Sequence, residues 1–109
     1  MENFANDIEE AADGESIECV VIGEMGWGEY NHERVPRYEE QPRGQVMSWE
    51  QAKQYLDYSY DTGFGASECN AIYAWTKTKV MFVVEYDGST RVESVPRNPV
   101  SVIPSMFGR

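Results

Sequence analysis

The amino-acid sequence predicts an α+β fold. It is read as a four-stranded antiparallel sheet, one N-terminal strand plus a C-terminal three-stranded meander, packed on one main helix, with a short helix at the N-terminus. Three observations carry this reading. Ala71 to Trp75, Val80 to Tyr86 and Arg91 to Val95 are short runs rich in Val, Ile, Phe, Tyr and Trp, separated by polar punctuation, which is the pattern of a β-meander. Ser48-Trp49-Glu50-Gln51 has the form of a capping box, the Ser hydroxyl accepting from a free backbone N–H while Gln51 reaches back. Ile17, Cys19, Val20, Val21 and Ile22 supply the fourth strand within Ser16 to Met25.

Taken in order, residues 2 to 12 place Phe4, Ile8 and Ala11 or Ala12 on one side at helical spacings, and Asp13-Gly14 ends the helix. The run Cys19 to Ile22 is apolar without alternation, as in a strand covered on both faces. Residues 23 to 46 show no sustained apolar period and read as one long loop, a length that is usually functional or disordered. Trp49, Ala52, Tyr55 or Leu56, and Tyr60 form the apolar stripe of a helix from Trp49 to about Tyr58. A glycine-aromatic stretch, YSYDTGFGASEC, follows; it suits either an ordinary connection or a site where a partner approaches the backbone closely.

Within the meander, Asp87-Gly88 offers the positive φ angles of a tight hairpin. A two-residue loop there sets Val83 opposite Val92 and Val80 opposite Val95; a three-residue loop shifts that register by one. Phe82 is read as a core side chain of a central strand. Val95-Pro96-Arg97-Asn98-Pro99 is held extended, because each residue before a proline is pushed out of the helical region. Residues 101 to 109 are read as a loosely held tail.

The segments SWEQAKQYLDY, ASECNAIYAWT and FVVEYDGSTRVESVPRNP, spread over residues 47 to 100, resemble a family of small bacteriophage-encoded proteins, particularly of phages that infect actinobacteria. The resemblance implies a phage origin and an accessory role in the host cell, and it hands over no catalytic residues. Residues 1 to 46 lie outside it.

At 109 residues the chain is read as one domain. A hydrophobic fraction of 41%, with three Trp, seven Tyr and four Phe, is that of a folded globule rather than a disordered chain. The sequence contains no apolar run near the ~20 residues that span a bilayer, and its start, MENFANDIEE, is acidic where a signal peptide would be basic. A cytoplasmic protein is the expectation. Cys19 and Cys69 are read as buried, reduced thiols, with a disulfide as the minor reading. Two thiols and the single His32 do not make a zinc site, and no metal or other cofactor is expected.

Charge is unevenly placed. The net charge is −10, and residues 1 to 25 contain eight acids and no Lys or Arg. This argues against direct binding of nucleic acid, whose phosphates call for clustered bases, and it favours basic partners, including occupation of a groove that would otherwise hold DNA or RNA. The plainer role of such charge is solubility. Glu9, Glu10 and Asp13 are the acidic candidates for a partner surface, and Trp27, Tyr30, Arg37 and Tyr38 in the long loop have the composition of an interface hot spot. Trp27 and Tyr38 also suit ordinary core cover. An alternative set, Arg91 and Arg97 with Tyr60 and Phe64, would hold an anionic, nucleotide-like ligand, Arg97 being carried on a stiff backbone. An internal ion pair is the competing fate of Arg97. An enzyme is the least favoured class: the chain has one histidine, no Gly-rich phosphate loop and no nucleophile elbow, and His32-Glu33 is its only adjacent acid-base pair. The favoured reading is an acidic interaction protein that binds and inhibits or redirects a host protein, with the ligand binder as the alternative.

Overall fold

A computed structural model describes residues 2–26, 33–63 and 68–106. The chain runs β1 (Glu2–Asn3), α1 (Phe4–Ala11), β2 (Cys19–Met25), β3 (Met47–Ser48), α2 (Trp49–Leu56), β4 (Ser59–Tyr60), β5 (Asn70–Trp75), β6 (Lys79–Tyr86) and β7 (Ser89–Pro96), with a 3-10 turn at Tyr38–Glu40 between β2 and β3. The fold is α+β and its sheets are antiparallel. The main sheet has five strands in the order β3-β2-β5-β6-β7, where four were expected, and β1 pairs with β4 in a second, two-stranded sheet. The additional strands are two residues each, too short to leave a periodic signature in the sequence.

The meander follows its turn chemistry. Asp87 and Gly88 both take positive φ, 50° and 82°, the combination a type I′ turn requires. The two-residue loop sets the register, so that Val83 faces Val92 and Val80 faces Val95. The capping box is also present: the Gln51 N–H donates to Ser48 Oγ at 3.2 Å, and the Ser48 N–H donates to Gln51 Oε1 at 3.3 Å. Helix α2 stops at Leu56 rather than Tyr58. Tyr58 and Tyr60 instead lie in the core, with Tyr60 carried on β4.

Both helices cover one face of the main sheet. Phe4, Ile8 and Ala12 from the N-terminal helix join Ala52 and Leu56 from α2 over Val20, Ile22, Ile72, Ala74 and Met81. The acidic N-terminal segment is thus a structural element, seated through its apolar side. Strand β2 begins at Cys19 rather than Ser16, and its burial alternates: Val20 and Ile22 are fully buried, Cys19 and Val21 only partly. The expectation of cover on both faces is corrected, since the described helices lie on one side of the sheet and burial along the strand alternates. Phe82 is likewise corrected. It points to the opposite face and is half-buried, while its neighbour Met81 is fully buried. Of the two cysteines, both are free, Cys69 is buried and Cys19 only half-buried.

One polar centre lies in the interior. Asn70 is fully buried and exchanges two bonds with Tyr58, whose hydroxyl donates to Asn70 Oδ1 at 2.9 Å and accepts from the Asn70 N–H at 2.9 Å. Asn70 Nδ2 also donates to the Gly23 carbonyl at 3.0 Å and to Gln41 Oε1 at 2.9 Å. A buried amide must satisfy its donors and acceptors, and here it does so by pinning the end of the long loop to β2 and β5. The loop also makes an isolated parallel bridge between Arg43 and Ile22, and it buries Val35. At the other end of the chain, residues 101–106 have no regular structure, and Val102, Ile103 and Met106 are exposed.

Candidate protein-interaction surface

Because side chains alternate across a strand, covering one face of the sheet leaves the other to be defined by parity alone. Val21 pairs across to Tyr73, and Tyr73 to Phe82; one step along, Cys19, Trp75, Val80 and Val95 form the adjoining row. None of these outer side chains belongs to the helix-covered core. Tyr73 is 59% exposed, and its ring lies edge-on to Trp75 at a centroid distance of 6.2 Å. Contiguous apolar area of this kind on a monomer marks an interaction site more often than chance exposure.

A shallow groove of about 640 Å³ crosses this face, floored by Gly23, Ala71 and Tyr73 and bounded by Glu24 and Arg43. Gly23 keeps the floor low. A Cβ there would meet the Ala71 carbonyl oxygen at 3.2 Å and the Ala71 Cβ at 3.3 Å, tighter than ordinary packing. The rim is electrically neutral, since Arg43 Nη1 donates to Glu24 Oε2 at 2.9 Å while the guanidinium lies 5.0 Å from the centroid of Tyr38.

The residues singled out from the sequence are distributed around the molecule. Trp27, Tyr30 and Phe64 lie outside the described residues, as does His32. Tyr38 packs partly against the core, so it serves as cover as well as a stacking partner for Arg43. Arg37 donates to Gln54, bonds Glu40 at 3.4 Å and lies over Tyr55, which ties the loop to α2. Glu9 receives the Trp49 indole N–H and the Lys53 ammonium, both at 3.1 Å, and so links α1 to α2. Glu10 and Asp13 are exposed.

The described members of the ligand-binding set, Tyr60, Arg91 and Arg97, are not brought together. Tyr60 is buried, donating to Asp7 Oδ2 at 2.6 Å, and burial pushes its phenol well above the usual range. Arg91 Nε donates to Glu93 Oε2 at 3.0 Å, whereas Arg97 Nη1 donates to Glu18 Oε1 at 2.7 Å and to the Thr76 carbonyl at 2.9 Å. Six positions apart on one extended chain, the two arginines sit roughly 20 Å from each other. Among the described residues there is no cluster of His, Cys, Asp and Glu that could hold a metal, and no helix is long and apolar enough to cross a membrane.

Tyr73, Trp75, Val21 and Val80 were not singled out from the sequence as surface residues. The signal was available only in part. Once β5 is a strand, NAIYAW places Ala71, Tyr73 and Trp75 on one side, but nothing in the six letters says which side the helices cover.

No protein-family model, no curated protein and no solved structure matches this chain.

Proposed function

We propose that this protein is a bacteriophage-encoded acidic binding module that holds a protein of its host through the outer face of the five-stranded sheet and thereby blocks or redirects it in the host cytoplasm. The observation that carries the proposal is the Val21–Tyr73–Trp75–Val80 surface, an apolar face with an aromatic pair on a chain of net charge −10. Buried aromatics are the usual anchors of protein interfaces. The surrounding acids favour a basic target, such as a nucleic-acid-binding or defence protein, and raise its encounter rate. The resemblance over residues 47 to 100 supports the phage setting.

The test is to isolate a stoichiometric host partner with the tagged protein and to measure its affinity for variants. Tyr73→Arg, at an exposed position, should weaken binding about 30-fold, as expected for loss of a hot spot. The association rate should fall as salt is raised, because charge steering is screened beyond about 10 Å at 0.1 M. Unchanged affinity of Tyr73→Arg would remove the outer face from the interface. Release of a small anion on denaturation, with no protein partner, would replace this reading by the ligand-binding one.

A further inference from the structure

Strand β7 is the edge of the main sheet, and among the described residues its strand ladder is formed on the β6 side alone. The turn at Asp87-Gly88 makes Tyr86 and Ser89 the pair that exchanges both backbone bonds. Antiparallel alternation then aims the backbone groups of Arg91, Glu93 and Val95 at β6, and those of Thr90, Val92 and Ser94 away from it. Two contacts agree with this phase. The Arg97 N–H donates to the Thr78 carbonyl at 2.8 Å on the β6 side, and the Thr90 N–H donates outward to the Thr62 carbonyl at 3.1 Å. Beyond Thr90, no described residue pairs with the outward N–H and C=O of Val92 or Ser94.

Such an edge is a template for another strand unless it is blunted. Its immediate surroundings define what that strand would carry. On the inner side α1 runs beside β7, and a cavity of about 350 Å³ between them is lined by Glu2, Asp7 and Glu10 with Thr90, Arg91 and Val92. Repulsion from Asp7 raises the carboxyl of Glu2, so these acids crowd one another. Among the described lining residues the base is Arg91, which by parity lies on the outer face and there holds Glu93, and Lys79 further along lies 4.0 Å from Asp13 and donates to the Ala12 carbonyl. On the outer side the same edge carries Val95 and the mutually neutralised pair Arg91 and Glu93, with Val80 behind them on β6.

We propose that the β7 edge is a strand-addition site for an extended, basic segment of a partner protein, one whose alternate side chains are Lys or Arg toward α1 and uncharged toward the outer face, where Arg91 and Glu93 already neutralise each other. Backbone bonds to Val92 and Ser94 hold it, and the α1 carboxylates select its charge. A second copy of this chain is the less suitable occupant, because pairing β7 with β7 would bring the same carboxylates of two α1 helices to one axis. This site rests on the reading of the protein as a protein-binding module, but uses a different surface from the Tyr73 face.

The probe is a short blocked synthetic peptide alternating Lys and Val, followed by fluorescence anisotropy and by amide hydrogen exchange. It should bind, slow exchange at the Val92 and Ser94 N–H groups, and weaken as salt rises from about 50 to about 200 mM. The Glu and Val counterpart should not bind. Ser94→Pro removes only an outward donor, a change tolerated on an edge strand, and should weaken binding about tenfold, the worth of roughly one hydrogen bond with its geometry. A Lys and Val peptide N-methylated on the backbone positions that face β7 should fail on the unaltered protein, which keeps the test independent of how Ser94→Pro folds. No binding of the probe overturns the inference. So does equal binding to Ser94→Pro without protection of Val92, which is charge attraction alone, and so does protection of Val92 by self-association without peptide. A host partner lost with Tyr73→Arg yet retained by Ser94→Pro would sink this inference and leave the proposed function standing.

Discussion

Met81 and Phe82 are adjacent, both large and both apolar, yet their energetic weight is set by strand parity rather than by size. Met81 is fully buried beneath the helices, whereas Phe82 is half-buried on the outer face. Met81→Ala should therefore cost about 2–5 kcal/mol, transfer loss plus cavity, out of a total near 5–15 kcal/mol. Phe82→Ala should cost under about 2 kcal/mol, since that ring still meets solvent in the folded state. Urea midpoints of the two variants check this, and a larger loss at Phe82 would mean that the helices cover the opposite face. The sequence could not make the choice because Val80, Met81, Phe82, Val83 and Val84 are all apolar. An uninterrupted run shows a strand but carries no phase. The same silence misled the reading of Cys19 to Ile22, where burial in fact alternates.

Elements whose structure is decided within a few residues were legible, and those decided by distant partners were not. The β6–β7 hairpin needs only Asp87 and Gly88 in positive φ to fix its register, and α2 needs only Ser48 and Gln51 to fix its start. Strands β1, β3 and β4 exist only because Tyr60, Val20 and Glu2 lie across from them, information held far away in the chain. The β7 edge was half legible: Pro96 marks a strand end at a sheet margin, but the strand order that makes β7 the margin comes from tertiary packing. A local element also makes a local prediction. Ser48→Ala removes the acceptor for the Gln51 N–H at 3.2 Å and should cost about 1 kcal/mol, within the usual range for a lost N-cap. Thermal unfolding followed by circular dichroism checks it, with Ser48→Asp expected to retain most of the stability. Equal melting of Ser48→Ala and the parent would mean that packing of Ala52 and Leu56 alone sets the helix.

At the scale of the whole molecule, the acids and the core are not separate systems. Glu9 bridges the helices and Asp7 accepts the buried Tyr60 hydroxyl. Residues 2 to 12 supply core through Phe4, Ile8 and Ala12 as well as charge, so charge-neutral substitutions at exposed Glu10 and Asp13 probe steering without removing core, whereas deleting the segment removes both. The same coupling fixes how stability depends on pH. Burial, reinforced by the charges of Asp7, Glu85 and Glu68, pushes the Cys69 thiol from 9.0 up to about 12. Burial likewise raises Tyr58 and Tyr60 above the ordinary 10.0, Tyr58 further by Cys69 and Tyr60 by Asp7. In the unfolded chain these groups lose their protons at ordinary values, so above those values the unfolded state binds fewer protons than the folded one. Stability therefore falls as pH rises. Well below pH 9.0 all three groups are neutral in both states and contribute no slope; the decline sets in as pH approaches 9.0, through Cys69, and steepens around 10.0 as the tyrosines join. Urea midpoints measured from about pH 7 to about pH 11 should be level at first and then drop, with phenolate absorbance from Tyr58 and Tyr60 appearing together with unfolding rather than before it. Cys69→Ala should delay the onset toward the tyrosine range. A midpoint that stays level to the alkaline end, or phenolate absorbance that forms in the still-folded protein and is missing from its Tyr58→Phe or Tyr60→Phe variants, would show that these hydroxyls reach water and that the Tyr58–Asn70 centre is open.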